Sequence, residues 1–411
     1  MKLFNTSFWL KISLFNLLIV ALYGTLMRYK IGFEFPYFDQ KHLQHGHSHF
    51  AFIGWIAHTL FVLIVSVLQH DKPGLNIERY RKLIIANLFS AYGMLISFTI
   101  QGYGIFSISF STLSVFIAYA FAYNIFKDLK GLSHKAYTSW FTAALWFNVI
   151  SSLGTFALAF MMASHNFNQN IHLASLYFYL HFQYNGFFSF ACIGLFFSKL
   201  NLSEMEIRKN KTLFWMFFLS CIPAYFLSTL WAKLPMWLYV LVVISAFAQV
   251  WAWILFIRST LGKLRHDVSL FKSGRYLFII IALALSAKYL LQLGSTIPSI
   301  SKLAFGFRPI VIAYLHLILL AIISVFLLSF MYYYKLININ RLGTAALISF
   351  VLGVYMNEIV LGIQGIASFS YTVVPFVNES LFVIALAIFT SLVLLVWSQK
   401  QKKTALAADF F

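Results

Sequence analysis

Twelve histidines are spread unevenly along the chain. The densest run holds His42, His45, His47 and His49, with His58 close behind, in the string HLQHGHSHFAFIGWIAH. His165 and His172 precede His181, and His316 stands in a long apolar run. Neutral imidazole is the commonest protein ligand for haem iron and for many other metals. Residues two apart on a helix project about 200° apart, so His47 and His49 would face opposite flanks. One helix could then give an axial ligand to each of two flat cofactors. His45 and His49 are four apart, share a face and suit a compact metal site instead. His58 continues the face of His47 about 16 Å deeper. It reads as a second metal ligand, a proton relay or a hydrogen-bonded core residue. Gly46 and Gly54 would let a ring or a neighbouring helix come close.

Other polar groups interrupt apolar sequence. Lys288 and Glu358 fall inside hydrophobic runs, Gln183 and Asn185 flank Tyr184, and Arg28, Lys30 and Arg308 sit at run boundaries. Ionisable groups inside a bilayer are costly and usually face a site or a partner. Lys288 and Glu358 could pair with one another. Alternatively, Lys288, Arg28 or Arg308 could hold a haem propionate, and Glu358 could carry protons or ligate a non-haem metal. His42, His165 and His172 read as wet interfacial residues. His49, His181 and His316 share one expected depth in their helices, which points to a common site.

The elements that must position these groups follow from composition. The 411 residues are 61% hydrophobic and 10% charged, with a mean hydropathy of +0.83. A soluble domain carries about 25% charged residues, so a soluble or disordered chain is excluded. About 20 apolar residues span a bilayer as a helix. Twelve runs qualify, near 7–27, 47–68, 82–104, 105–126, 139–163, 172–198, 213–231, 235–257, 275–296, 309–333, 342–366 and 380–398. The expected fold is an all-α, polytopic membrane bundle forming a single transmembrane domain over 1–411. The first run lacks a cleavage signature and reads as a retained helix. Cys192 and Cys221 are too few for a disulfide framework.

The net charge of +19 could suggest nucleic acid, but the positions of the charges argue otherwise. Most basic residues, among them Lys72, Arg79, Arg81, Lys127, Lys130, Lys199 and Arg208, fall at the termini or after even-numbered runs. Arg28, Lys30, Lys41, Lys233, Lys302 and Arg308 fall on the other side. By the positive-inside rule both termini are cytoplasmic, in a bacterial-type inner membrane. The lipid bilayer is then a partner and nucleic acid is not.

A period of about a third of the chain also shows. Positions 49 and 181 are 132 residues apart, and 181 and 316 are 135 apart. Gly24, Gly154 and Gly294 follow it, as do Tyr92, Tyr225 and Tyr355. Three four-helix units in a pseudo-threefold arrangement would result, over about 1–130, 131–270 and 271–411.

Twelve helices, both ends inside, a threefold pseudo-repeat and histidines on helices 2, 6 and 10 resemble subunit I of the haem–copper oxidase superfamily, including its nitric-oxide-reductase branch. His47-x-His49, with Phe50 and Gly54-Trp55, looks like the family's helix that ligates both haems. That pair stands on helix 10 in the family and on helix 2 here. Leu180-His181 through Phe188 is similar to the family's metal-ligand helix. The paired histidines of the family's helix 7 are absent, with Cys221, Pro223 and Tyr225 standing there. The resemblance implies a redox protein that binds haem, with copper or non-haem iron as a second metal. It would act on electrons or a diatomic gas, O2 or NO, with an electron-donor protein or quinol as partner. Cofactor ligands would be His47, His49, His181 and His316, and second-metal ligands His45, His49, His58, His316 and Glu358. The competing readings are a transporter for a metal ion, haem or small solute, and a non-catalytic assembly or sensor subunit.

Overall fold

A computed structural model describes residues 4–200, 202–266, 272–301 and 307–400. Lys302 and the repeat boundary expected at 270–271 lie outside them. Among the described residues are twelve long helical rods. They are α1 (Thr6–Gly32), α2 (Gln40–Asp71), α3 (Ile77–Gln101), α4 (Ile105–Leu132), α5 (Thr138–Ala163), α6 (169–197), α7 (Glu204–Thr229), α8 (Met236–His266), α9 (Lys272–Gly294), α10 (Arg308–Tyr333), α11 (Arg341–Phe369) and α12 (Val377–Ser398). Eleven are long and apolar enough to cross a membrane. The exception is α6, whose middle is diluted by His181, Gln183, Tyr184 and Asn185. The protein is a polytopic all-α membrane protein.

Rod ends are set by side chains that satisfy exposed backbone amides. Asn5 accepts from the Phe8 amide, Asn76 from Arg79, Asn168 from Asn170 and Ile171, and Asn340 from Gly343. Ser203 and Glu206 form a capping box on α7. Asp39 starts α2 well before the expected 47, accepting from the amides of Lys41 (2.8 Å) and His42 (3.0 Å). The polar run Gln40–His49 is therefore already helical, and the histidines fall into helical register. Gly102, at φ +64°, ends α3, and the His42 ring occupies the space that a Cβ there would fill.

The chain forms two compact units. The first comprises Met1–Tyr123, Phe271–Leu277 and Ile323–Phe411. Its α2 is the most enclosed of the candidate spans: 83% of its most apolar window is buried, against at most 44% in any other. Phe61 stacks on Phe121 at 3.8 Å, and the Trp55 indole N–H donates to Ser324 at 2.8 Å. The second unit comprises Asn124–Leu270 and Phe278–Ile322. Its core is built around Trp140, whose indole donates to Asn210 at 2.9 Å while Asn210 donates to the Ala136 carbonyl. A Cβ at Gly154 would strike the Ser175 carbonyl of α6, so α5 and α6 meet backbone to backbone there.

Candidate cofactor site

Three rods share a local irregularity. In α2, α6 and α10 the α-helix ends at His49, His181 and His316, and a π-helical stretch starts at the next residue. The stretches are Phe50–Ala57, Phe182–Phe188 and Leu317–Ser324. A π turn is uncommon and clusters at functional sites. It also breaks the regular ladder, and carbonyls released in a bilayer need new partners.

In the first unit those partners are asparagines. Asn16 of α1 donates to the Gly54 carbonyl at 2.6 Å, and Asn87 of α3 donates to Ile53 at 3.1 Å. The Tyr92 hydroxyl closes the set by donating to Asn16 at 2.7 Å. Gly54 leaves room for the Phe50 ring of its own rod, since a Cβ would lie 2.7 Å from it. Gly46 serves neighbouring rods, where a Cβ would come within 3.0 Å of Thr99 and 3.3 Å of Tyr23.

The α2 histidines divide between two flanks, as their helical spacing requires. His47 points to α1: its Nδ1 lies 3.0 Å from the Val20 carbonyl. That contact puts a proton on Nδ1. His49 points to α3, stacked on Phe98 at 4.3 Å with its Nε2 3.5 Å from the Tyr103 hydroxyl. His45 shares that face and packs edge-on to Tyr103 at 4.7 Å. Outside the span, the amides of His42 and Lys41 hold the Asp39 carboxyl below the usual carboxylate range.

His58 differs from the rest. It is fully buried, and neither ring nitrogen has a hydrogen-bond partner. Its ring meets Trp9 edge-on at 6.3 Å, and the Trp9 backbone approaches without hydrogen-bond geometry. Trp9 also lines a cavity of about 870 Å³, together with Phe4, Asn76 and Arg81. A buried polar group without a partner is costly.

In the second unit, His181 is fully engaged by the protein. Its Nε2 donates to the Cys221 carbonyl at 2.9 Å, and its Nδ1 accepts from the Asn185 amide at 3.1 Å. The Cys221 carbonyl is available because α7 tightens into a 3-10 turn at Tyr225, whose amide bonds to Ile222 and Pro223 instead. Gln183 donates to Asn148 and Ser151 of α5, both at 2.8 Å. His316 turns back on its own rod, Nδ1 lying 2.9 Å from the Ile312 carbonyl. As with His47, this puts a proton on Nδ1.

Lys288 is buried in the second unit, with its ammonium 4.1 Å from the Tyr289 ring centre. Glu358 belongs to the first unit and accepts from the Asn357 amide at 3.2 Å. Position 49 is in the first unit, and 181 and 316 are in the second. Among the described residues, no group of three or more His, Cys, Asp or Glu could hold a metal ion.

Sequence reasoning missed the asparagines that seat the π turns. Asn16 and Asn148 are 132 residues apart, the same spacing that separates His49 from His181. Each bonds to the π turn of the rod beside it. Extending the histidine period to polar residues of helices 1 and 5 would have found them. No protein-family model matches the chain, and no curated protein is similar to it in sequence.

Proposed function

We propose that this is an integral-membrane haem protein of the haem–copper oxidase subunit I kind, handling electrons or a diatomic gas. It would sit in a bacterial-type inner membrane with both termini cytoplasmic, as the basic loops require. The observation that carries the reading is the placement of His47 and His49 on opposite flanks of the most enclosed span. Imidazoles inside a bilayer call for a partner, and two on opposite flanks can each serve a different macrocycle.

The residues present fit haem in chemistry. His47 and His316 are held by backbone carbonyls at Nδ1, the contact that fixes a ligating imidazole. Phe98, Tyr103 and Tyr23 supply aromatic walls around α2. His181 fits less well, because ligation would cost it the bond to Cys221 or to Asn185. Haem iron would supply reversible one-electron chemistry and a place for a gas to bind. The chain's own part is to orient imidazoles, exclude water and enclose the ring. For a second metal, copper or non-haem iron, the candidates are His45 with His49, and His58, His316 and Glu358. His58 supports this best, having two unpartnered nitrogens.

The test is a reduced-minus-oxidised optical spectrum of the purified protein, with iron and copper analysis. A Soret band that weakens in His47→Ala and His49→Ala supports the reading. Absence of a Soret band and of bound metal overturns it. Solute uptake in proteoliposomes, lost in Glu358→Gln, would then put transport in its place.

A further inference from the structure

The second unit contains a buried lysine that no carboxylate meets among the described residues. Lys288 is only 4% exposed, in the middle of α9. No ion pair reaches it among the described residues; its ammonium rests on the Tyr289 ring instead. An isolated ammonium in a low-dielectric interior is expensive, and a ring face replaces only part of its hydration.

The surroundings combine buried polar side chains with aromatic rings. Lys288 lies near His181 of α6 and Cys221 of α7. Tyr314 of α10 lies near Tyr184 of α6 and Tyr289 of α9. Phe217 and Trp253 pack on the Tyr289 ring at 6.1 and 5.9 Å. One turn beyond Lys288, Gln292 buries an amide oxygen without a partner, as does Gln249 of α8. These rods thus bring an amine, phenols and unsatisfied amide oxygens into one unit, with no carboxylate beside the lysine among the described residues.

We propose that Lys288 anchors the carboxylate of an apolar ligand bound within the second unit. The ammonium gives the carboxylate a charge-assisted hydrogen bond. Tyrosine hydroxyls donate to its second oxygen, and the aromatic rings cover the apolar body. Haem, through its propionates, is such a ligand, and to that extent the inference rests on the proposed function. It goes further in assigning the anchor to Lys288 of α9, with His181 left bonded to the protein.

The probes are metal-free protoporphyrin IX and its dimethyl ester, followed by porphyrin fluorescence, with oleate and methyl oleate as a second pair. The wild type is expected to bind the free acid about tenfold more tightly than the ester, equivalent to about 1.4 kcal/mol. Lys288→Met should bind acid and ester alike, while Lys288→Arg keeps the preference. Size-exclusion and thermal unfolding profiles establish that the variants are folded. If neither porphyrin binds but oleate shows a Lys288-dependent preference over its ester, the haem reading fails and the anchor stands. If a folded Lys288→Met keeps the acid preference, or the wild type shows none in either pair, the inference is overturned.

Discussion

The π turns of α2 and α6 start from the same local pattern, a histidine followed by a glycine five residues on, and are finished in opposite ways. Around α2, neighbouring asparagines satisfy the turn's carbonyls, while His58 further along the rod has no partner. Around α6, the histidine itself is satisfied at both nitrogens, while the amide oxygens of Gln183 and Asn185 have no partner among the described residues and the Lys288 amine meets only a ring face. The first region leaves imidazole for a ligand to use; the second leaves positive charge. On the proposed reading, one motif would then serve a coordinating region and an anion-holding region, according to what packs against it.

The largest expected effect is on cofactor content. His47→Ala and His49→Ala should each lower bound haem by about tenfold or more, while His181→Ala should stay within roughly twofold of wild type. Quantifying haem per polypeptide in purified protein checks this. Equal losses in all three variants would erase the contrast.

A sharper comparison uses one substitution at two sites in the ligand-free protein. His181→Leu strands the Cys221 carbonyl and the Asn185 amide, at an expected cost of about 2–3 kcal/mol. His58→Leu removes two nitrogens that bond to nothing, so stability should be unchanged or rise by about 1 kcal/mol. Denaturant unfolding in bicelles measures both. A loss in His58→Leu as large as that in His181→Leu would show that the first region is not the open one.

The turn-seating asparagines should also differ. Asn16→Ala removes the donor to Gly54 and the acceptor for Tyr92, for about 2 kcal/mol. Asn148→Ala leaves Gln183 its bond to Ser151 and should cost about 1 kcal/mol. The same unfolding measurement ranks them.

The smallest effect concerns the cap of α2. The folded Asp39 carboxyl titrates below its ordinary value because the amides of His42 and Lys41 favour the charged form. Its contribution is therefore present above the unfolded value, about pH 3.9, and fades as pH falls through the lower folded value. The wild type should show a small drop in thermal midpoint on acidification that Asp39→Asn does not show.

Much of this was legible from residue order. The runs of apolar residues mark the number and order of the rods, while their ends extend further, as at α2, which Asp39 starts early, α7, which begins at Glu204 rather than 213, and α8, which ends at His266 rather than 257. The opposite flanks of His47 and His49, and the shared face of His45 and His49, follow from helical spacing. The π turns were not legible, because a π turn depends on which neighbours accept its displaced carbonyls. Nor did the three glycines at the repeat period share a role: Gly24 adjoins His47, Gly154 meets the α6 backbone, and Gly294 has nothing within 4 Å.

By itself the sequence determined that this chain is a polytopic helical membrane protein with imidazoles and a few ionisable groups inside its spans. The reason is that bilayer thickness and backbone hydrogen bonding leave little choice for such a composition. Only the tertiary structure decided which of those groups are already partnered. His47 meets Val20, His181 meets Cys221, and the His58 ring nitrogens make no hydrogen bond among the described residues. These contacts, or their absence, join residues far apart in the chain, and side-chain chemistry carries no record of them until the rods are packed.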